Sequence, residues 1–154
     1  MKLQDIVGYR LDMARCAALR SVYRALANTG ARPADTAALL LVREQPGTDQ
    51  TTLGRALGGN RSVGMKLAAR LEERGLIVRG VGRDRRSKGL YITPRGRVVL
   101  DELLERHTAA EAVLASALEP GERETLLALL DKIEGAVLAE ETAIAETEEY
   151  RRAG

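Results

Sequence analysis

At Gly75 the hydrophobic rhythm of the chain changes, and that change limits the folds open to it. Upstream, apolar residues recur at helical spacing. Downstream come two short β-prone runs, Leu76-Ile77-Val78 and Leu90-Tyr91-Ile92-Thr93, around a polar, basic, glycine-containing connector. Two such runs in succession predict a hairpin with a long loop, and long loops are often functional. A chain of 154 residues has room for one compact domain with a real core. Phe and Trp are absent and aromatics make up 3%. Leu, Ala, Val and Ile must therefore fill the core, which suits packed helices.

Four helices are expected before Gly75. Ile6, Leu11, Ala14, Ala18, Val22 and Ala25 fall near one face of a helix over Leu3–Ala27. Asn28-Thr29-Gly30 ends it, and Pro33 suits the first turn of a second helix that runs to Arg43. Asp49 can cap a third helix, Gln50–Leu57, and Asn60 a fourth, Arg61–Arg74. Beyond the hairpin, Pro94 opens a fifth helix to about Leu118, and a sixth extends from about Glu122 to Thr147. The expected fold is mainly α with a small β-hairpin wing. It is a single domain, 1–154, in which a winged helix–turn–helix lobe, 31–97, is flanked by helical segments, 1–30 and 98–154.

Charge is concentrated in that lobe. The net charge of the whole chain is +2, yet residues 60–97 hold 11 basic and 3 acidic side chains, a local net charge of +8. Residues 98–154 hold 5 basic and 14 acidic ones, a net charge of −9. A positive block in a nearly neutral protein suggests contact with a polyanion, here double-stranded DNA. Arg61, Ser62, Lys66 and Arg70 fall on the fourth helix away from Leu67 and Leu71. Its N-terminal residues would enter the major groove. The connector holds Arg83, Arg85, Arg86 and Lys88 around one acid, Asp84, expected to pair with Arg86 and aim its guanidinium.

Several motifs resemble the MarR family of transcriptional regulators. Glu73-Arg74-Gly75-Leu76-Ile77-Val78-Arg79 is similar to its junction between recognition helix and wing. Asp84-Arg85-Arg86, followed by Ile92-Thr93-Pro94-Arg95-Gly96, is similar to its wing and following helix. Leu53-Gly54-Arg55-Ala56-Leu57 resembles the first helix of its helix–turn–helix. The resemblance implies a homodimer, joined through the helical dimerisation segments 1–30 and 98–154, on a pseudo-palindromic operator, usually a repressor, relieved by a small ligand or by oxidation. It also implies DNA contacts for Ser62, Lys66 and Arg70 and a wing pair of Asp84 and Arg86. Val63 and Met65 replace residues that are often hydroxyl-bearing in the family. Each offers a thymine methyl an apolar contact but no side-chain hydrogen bond to a base. Gly64 costs about 1 kcal/mol relative to Ala within a helix, and close approach of a neighbouring helix is its simplest explanation.

Cys16 is the lone cysteine, and no internal disulfide is open to the chain. The segment Leu11-Asp12…Cys16…Ala18-Leu19 is similar to the hydroperoxide-sensing branch of the family, where a cysteine so placed triggers release from DNA. Arg20 would lower the thiol's pKa and Asp12 would raise it. That branch also uses tyrosines of the second helix, and Pro33–Arg43 has none. A small packing residue is the competing role for Cys16. Tyr9, Arg10, Arg15 and Tyr23 are candidates for a cleft that takes an aromatic or phenolic effector, with surface packing as the plainer alternative.

Other functions find little support. A single histidine, His107, and no Cys/His cluster give no zinc pattern, and no glycine-rich phosphate loop or nucleophile motif indicates an enzyme. No cofactor is expected. No apolar run is long enough to span a membrane, Met1–Arg10 lacks the core of a secretion signal, and a cytoplasmic location is expected. The main alternative is a winged-helix module that binds protein instead of DNA.

Overall fold

The computed structural model describes residues 1–83 and 88–153, with the backbone alone at residue 145 and over 148–153. Helices α1 (Val7–Ala25), α2 (Pro33–Glu44), α3 (Gln50–Ala56) and α4 (Arg61–Glu73) precede strands β1 (Ile77–Val81) and β2 (Lys88–Ile92). Helices α5 (Pro94–Ala115) and α6 (Glu122–Ala153) follow. The first helix is shorter than its periodicity suggests. Leu3–Asp5 forms a separate 3-10 turn, closed by the Lys2 N–H donating to Asp5 Oδ2 at 3.0 Å, and Ile6 is extended before α1 begins.

Caps set the other boundaries. Asp49 accepts from the Thr52 N–H at 2.8 Å and starts α3. Asn60 Oδ1 accepts from the Ser62 and Val63 N–H groups at 2.9 and 3.2 Å and starts α4. Gly75, at φ +70°, ends α4 in the left-handed region. Thr93 Oγ1 donates to the Gly75 carbonyl at 2.8 Å and accepts from the Gly96 N–H at 2.9 Å, so one hydroxyl joins the end of α4 to the start of α5.

β1 and β2 pair antiparallel, with Ile77 opposite Ile92 and Val81 opposite Lys88. The strands reach further into the basic connector than the two apolar runs alone suggest. Thr48 adds a third edge. The Leu90 N–H donates to its carbonyl at 2.8 Å, and the Gly47 N–H donates to Leu90 O at 2.9 Å. This segment has no apolar alternation, so its pairing is set by the hairpin and not by its own sequence.

The chain forms two compact units, Met1–Val113 and Leu114–Gly154. This division falls inside α5. The first unit holds a core of Val22, Leu39, Val42, Leu53, Leu71, Leu76, Ile77, Leu90 and Leu100, all buried. Each fully buried aliphatic side chain contributes about 1.5–3 kcal/mol. The second unit consists of the end of α5, a turn at Gly121 and α6. Among its described side chains Leu126, Leu127, Leu129, Ile133, Val137, Leu138 and Ile144 are exposed.

Candidate DNA-binding interface

α3 and α4 cross unusually closely, and two glycines permit it. A β-carbon at Gly64 would lie 1.9 Å from Gln50 O and 2.8 Å from Gly54 N; one at Gly54 would lie 2.1 Å from Asn60 O. These are backbone atoms that cannot swing aside. The helix–turn–helix angle therefore depends on this glycine pair. Gly64, Leu67, Ala68 and Leu71 face the core, leaving Arg61, Ser62, Val63, Met65, Lys66 and Ala69 exposed.

The outward face carries two unpaired cations near the N-terminal half of α4. Arg61 and Lys66 form no ion pair among the described residues, and Ser62 sits beside them. Val63 and Met65 are 43% and 47% exposed, so two apolar side chains stand among the polar ones. A face of this kind offers charge to phosphates and methyl contact to thymine. Arg83 and Lys88, at either end of the hairpin connector, are also exposed. Asp84, Arg85 and Arg86 lie outside the described residues, and with them the expected Asp84–Arg86 pair.

Arg70 is placed differently from the other candidates. Its Nη2 donates to Asp35 Oδ1, and Asp35 is only 1% exposed. Arg74 Nη1 donates to the other oxygen, Oδ2, at 3.2 Å, and the Arg32 N–H donates to the same atom at 2.9 Å. One buried carboxylate on α2 thus gathers two arginines from the α4 region. Arg79 is also paired, at the surface, with its Nε 2.8 Å from Glu72 Oε2. Three cations of the basic stretch therefore have acidic partners. Charge counting cannot separate them from the unpaired ones, because Asp35 lies 35 and 39 residues away from its two partners.

One cleft of the first unit is not lined by Tyr9, Arg10, Arg15 or Tyr23. Its volume is about 680 Å3, and its walls are Asn28 and Thr29 after α1, Arg74 after α4, and Arg95, Val99, Glu102, Leu103, Glu105, Arg106 and Ala109 on α5. Tyr9 and Tyr23 are exposed on α1, as is Arg10. Arg15 Nη2 binds Asp12 Oδ1 at 2.7 Å, an interaction that raises the guanidinium pKa. Cys16 is half-buried, and its Sγ lies 4.0 Å from the same nitrogen. A cation beside the thiol is thus Arg15, already paired with Asp12. Among the described residues no group of three or more His, Cys, Asp or Glu side chains is placed to hold a metal ion. No helix among them is long and apolar enough to cross a membrane.

No family model matches the chain. A relative does: the proposed transcriptional regulatory protein for the hcr operon of Thauera aromatica is 32% identical over 129 residues, covering 82% of this chain and 78% of that one. Among solved structures, CouR from Rhodococcus jostii RHA1 bound to p-coumaroyl-CoA is 30% identical with a TM-score of 0.78, covering 86% of this chain and 94% of that one. A MarR-family regulator from Rhodococcus sp. RHA1 is 29% identical with a TM-score of 0.77, covering 86% and 96%. The chain belongs to the MarR family. It is a DNA-binding transcriptional regulator with the winged helix–turn–helix of that family. CouR has also been solved on a 23-mer DNA duplex, at 31% identity and a TM-score of 0.78. In this MarR-family chain the equivalent lobe is built from α2, α3, α4 and the β1–β2 hairpin. Its similarity is to regulators and not to enzymes.

Proposed function

We propose that the protein is a homodimeric repressor of a pseudo-palindromic operator, released by a small aromatic effector. The exposed face of α4 carries this reading. Arg61 and Lys66 bind phosphates or guanine edges, Ser62 supplies an adaptable hydroxyl, and Val63 and Met65 contact thymine methyls. Arg83, Arg85, Arg86 and Lys88 of the wing grip the adjacent backbone or minor groove, with Asp84 directing Arg86. Arg70 acts on DNA through the position of α4, since its guanidinium is held by Asp35.

Two such faces, one per protomer, fit half-sites about 34 Å apart, one turn of DNA. The similarity to CouR, solved both on DNA and with p-coumaroyl-CoA, supports operator binding and an aromatic effector. The α1 and α6 faces supply apolar surface for the dimer.

The decisive experiment is a gel shift on the DNA upstream of the protein's own gene at several salt concentrations. Phosphate-driven binding falls linearly in log K against log salt, with a slope near −0.9 for each phosphate neutralised. Lys66→Ala should reduce that slope by about one. Absence of any shift at low salt would instead support the protein-binding alternative.

A further inference from the structure

We propose that α4 reads the C5-methyl group of pyrimidines through Val63 and Met65, so that it accepts thymine and 5-methylcytosine alike and disfavours uracil and unmethylated cytosine. The inference rests on the operator reading above and names what the recognition helix distinguishes within a half-site. Gly64, Leu67, Ala68 and Leu71 are buried and fix the inward side of α4. At helical spacing Ser62, Lys66 and Ala69 then lie opposite that side, and all three are exposed. Val63 and Met65, about 200° apart around the helix, stand on its two flanks. The outward face is thus low along its middle, at Ser62 and Ala69, and apolar at both edges. Small residues along the middle let the helix seat closely against base edges. Both apolar side chains belong to its N-terminal turns, the part that enters the major groove.

In that groove the apolar feature on offer is the C5 methyl of thymine. Valine has no hydrogen-bonding side-chain atom, and methionine has only a weakly accepting sulfur. Neither separates the exocyclic oxygen of thymine from the amino group of cytosine. The methyl group is what they can read, and 5-methylcytosine carries it on the same ring carbon. Val63 is the stricter reader of the two. Its χ1 is stiff in a helix, and its N–H donates to Asn60 Oδ1 at 3.2 Å. Its side chain lies against Gly59, where a β-carbon would meet Val63 Cβ and Cγ2 at 2.9 Å and Cγ1 at 3.0 Å. Gly59 is not in the left-handed region, so the glycine supplies space and not φ. It sets how far the valine methyls project. Met65 is flexible and follows a methyl group over a wider range of positions. Arg61 and Lys66, without ion pairs among the described residues, add phosphate attraction that is the same for every sequence.

Selection from a random duplex library with the full-length protein supplies its preferred site. Gel shifts on resynthesised duplexes then make two comparisons that change the methyl group alone. Uracil replaces thymine, one position at a time and then symmetrically in both half-sites. At one or more positions binding should weaken by about fourfold for each methyl lost, and by about sixteenfold for the symmetric pair. Where cytosine–guanine replaces such a thymine–adenine pair, C5 methylation of that cytosine should strengthen binding by the same factor. Val63→Ser and Met65→Ser, each checked for folding by circular dichroism, should each abolish the uracil penalty at one position and keep it at the other. Gly59→Ala displaces Val63 and should shrink the penalty that Val63→Ser abolishes. The methyl reading is overturned if no uracil substitution weakens binding, if the penalties survive in both serine variants, or if 5-methylcytosine binds no better than cytosine. Each of those results leaves the operator reading standing. Failure to enrich any duplex at low salt overturns both.

Discussion

Gly64 makes the helix–turn–helix sensitive to a single methyl group. Alanine would improve helix propensity by about 1 kcal/mol. Its β-carbon, however, would lie 1.9 Å from Gln50 O, and relief requires α3 and α4 to move apart. Overpacking of this kind costs about 1–3 kcal/mol, and more where backbone must shift. The clash wins, so Gly64→Ala should lower the melting temperature and weaken operator binding in a gel shift, even though α4 becomes intrinsically more helical. Asp35 presents the opposite case, in which removal does the damage. Asp35→Ala leaves two arginine side chains, each about 30% exposed, without their acid. Breaking a buried pair from one side costs about 3–5 kcal/mol, less here because the arginines retain some water. Urea denaturation should show the loss, and Asp35→Asn should recover part of it by keeping the Arg32 N–H contact. The two residues differ in how far the sequence reveals them. A glycine inside a helical pattern announces a close approach, though not its partner. A lone aspartate near a helix start announces only a cap, and Asp35 does accept the Arg32 N–H at 2.9 Å. Its tie to Arg70 and Arg74 depends on the packing of α2 against α4, which no local pattern encodes.

Two short caps set where the elements of the DNA-binding lobe begin. Asp49 holds α3 through the Thr52 N–H, and that backbone hydrogen bond is the largest cause of its lowered pKa. A carboxyl whose folded pKa lies below its unfolded value stabilises the fold above the unfolded value, near 3.8. That contribution is lost as pH falls through the folded value. Thermal melts should thus be insensitive to Asp49 ionisation from pH 7 to 5 and should decline below about pH 4. Asp49→Asn, which caps without titrating, should show a shallower acid decline. Asp49→Ala should cost about 1 kcal/mol at neutral pH. Asn60 caps α4 in the same way through two N–H groups, and Asn60→Ala should cost a similar amount, about 1 kcal/mol. Its effect should also reach DNA affinity, because Arg61 and Ser62 occupy the first turn that would fray. At this scale the sequence is highly legible. Caps, stops and apolar spacing are local signals, and α2, α3 and α4 begin where Pro33, Asp49 and Asn60 place them. What stays hidden is pairing across distance. The Thr48–Leu90 bridge and the Arg79–Glu72 contact both depend on the hairpin folding back over the helices.

For the whole molecule, the distribution of apolar surface argues for a second copy. The first unit has a full core, yet Leu3 and Ile6 before α1, and Val7 and Met13 on it, are exposed. In α6 the unburied Leu126, Ile133, Val137 and Ile144 recur at spacings near two helical turns or one, giving a stripe over residues 126–144, about 27 Å at 1.5 Å per residue. A monomer that left this surface in water would forgo burial at about 25 cal/mol per Å2. Clustered exposed aliphatics of that extent mark an interface. Replacing Ile133 and Val137 together with lysine would put two charges in the middle of the stripe. The double variant should sediment as a monomer at micromolar concentration, with the core of the first unit still folded by circular dichroism. Each half-site would then be bound alone, and operator affinity should drop by at least two orders of magnitude, because the second contact would no longer be intramolecular. A double variant that remained dimeric and bound operator normally would place the interface elsewhere than on α6. A monomer with undiminished affinity would instead separate DNA recognition from dimerisation, and the half-site geometry proposed above would not stand.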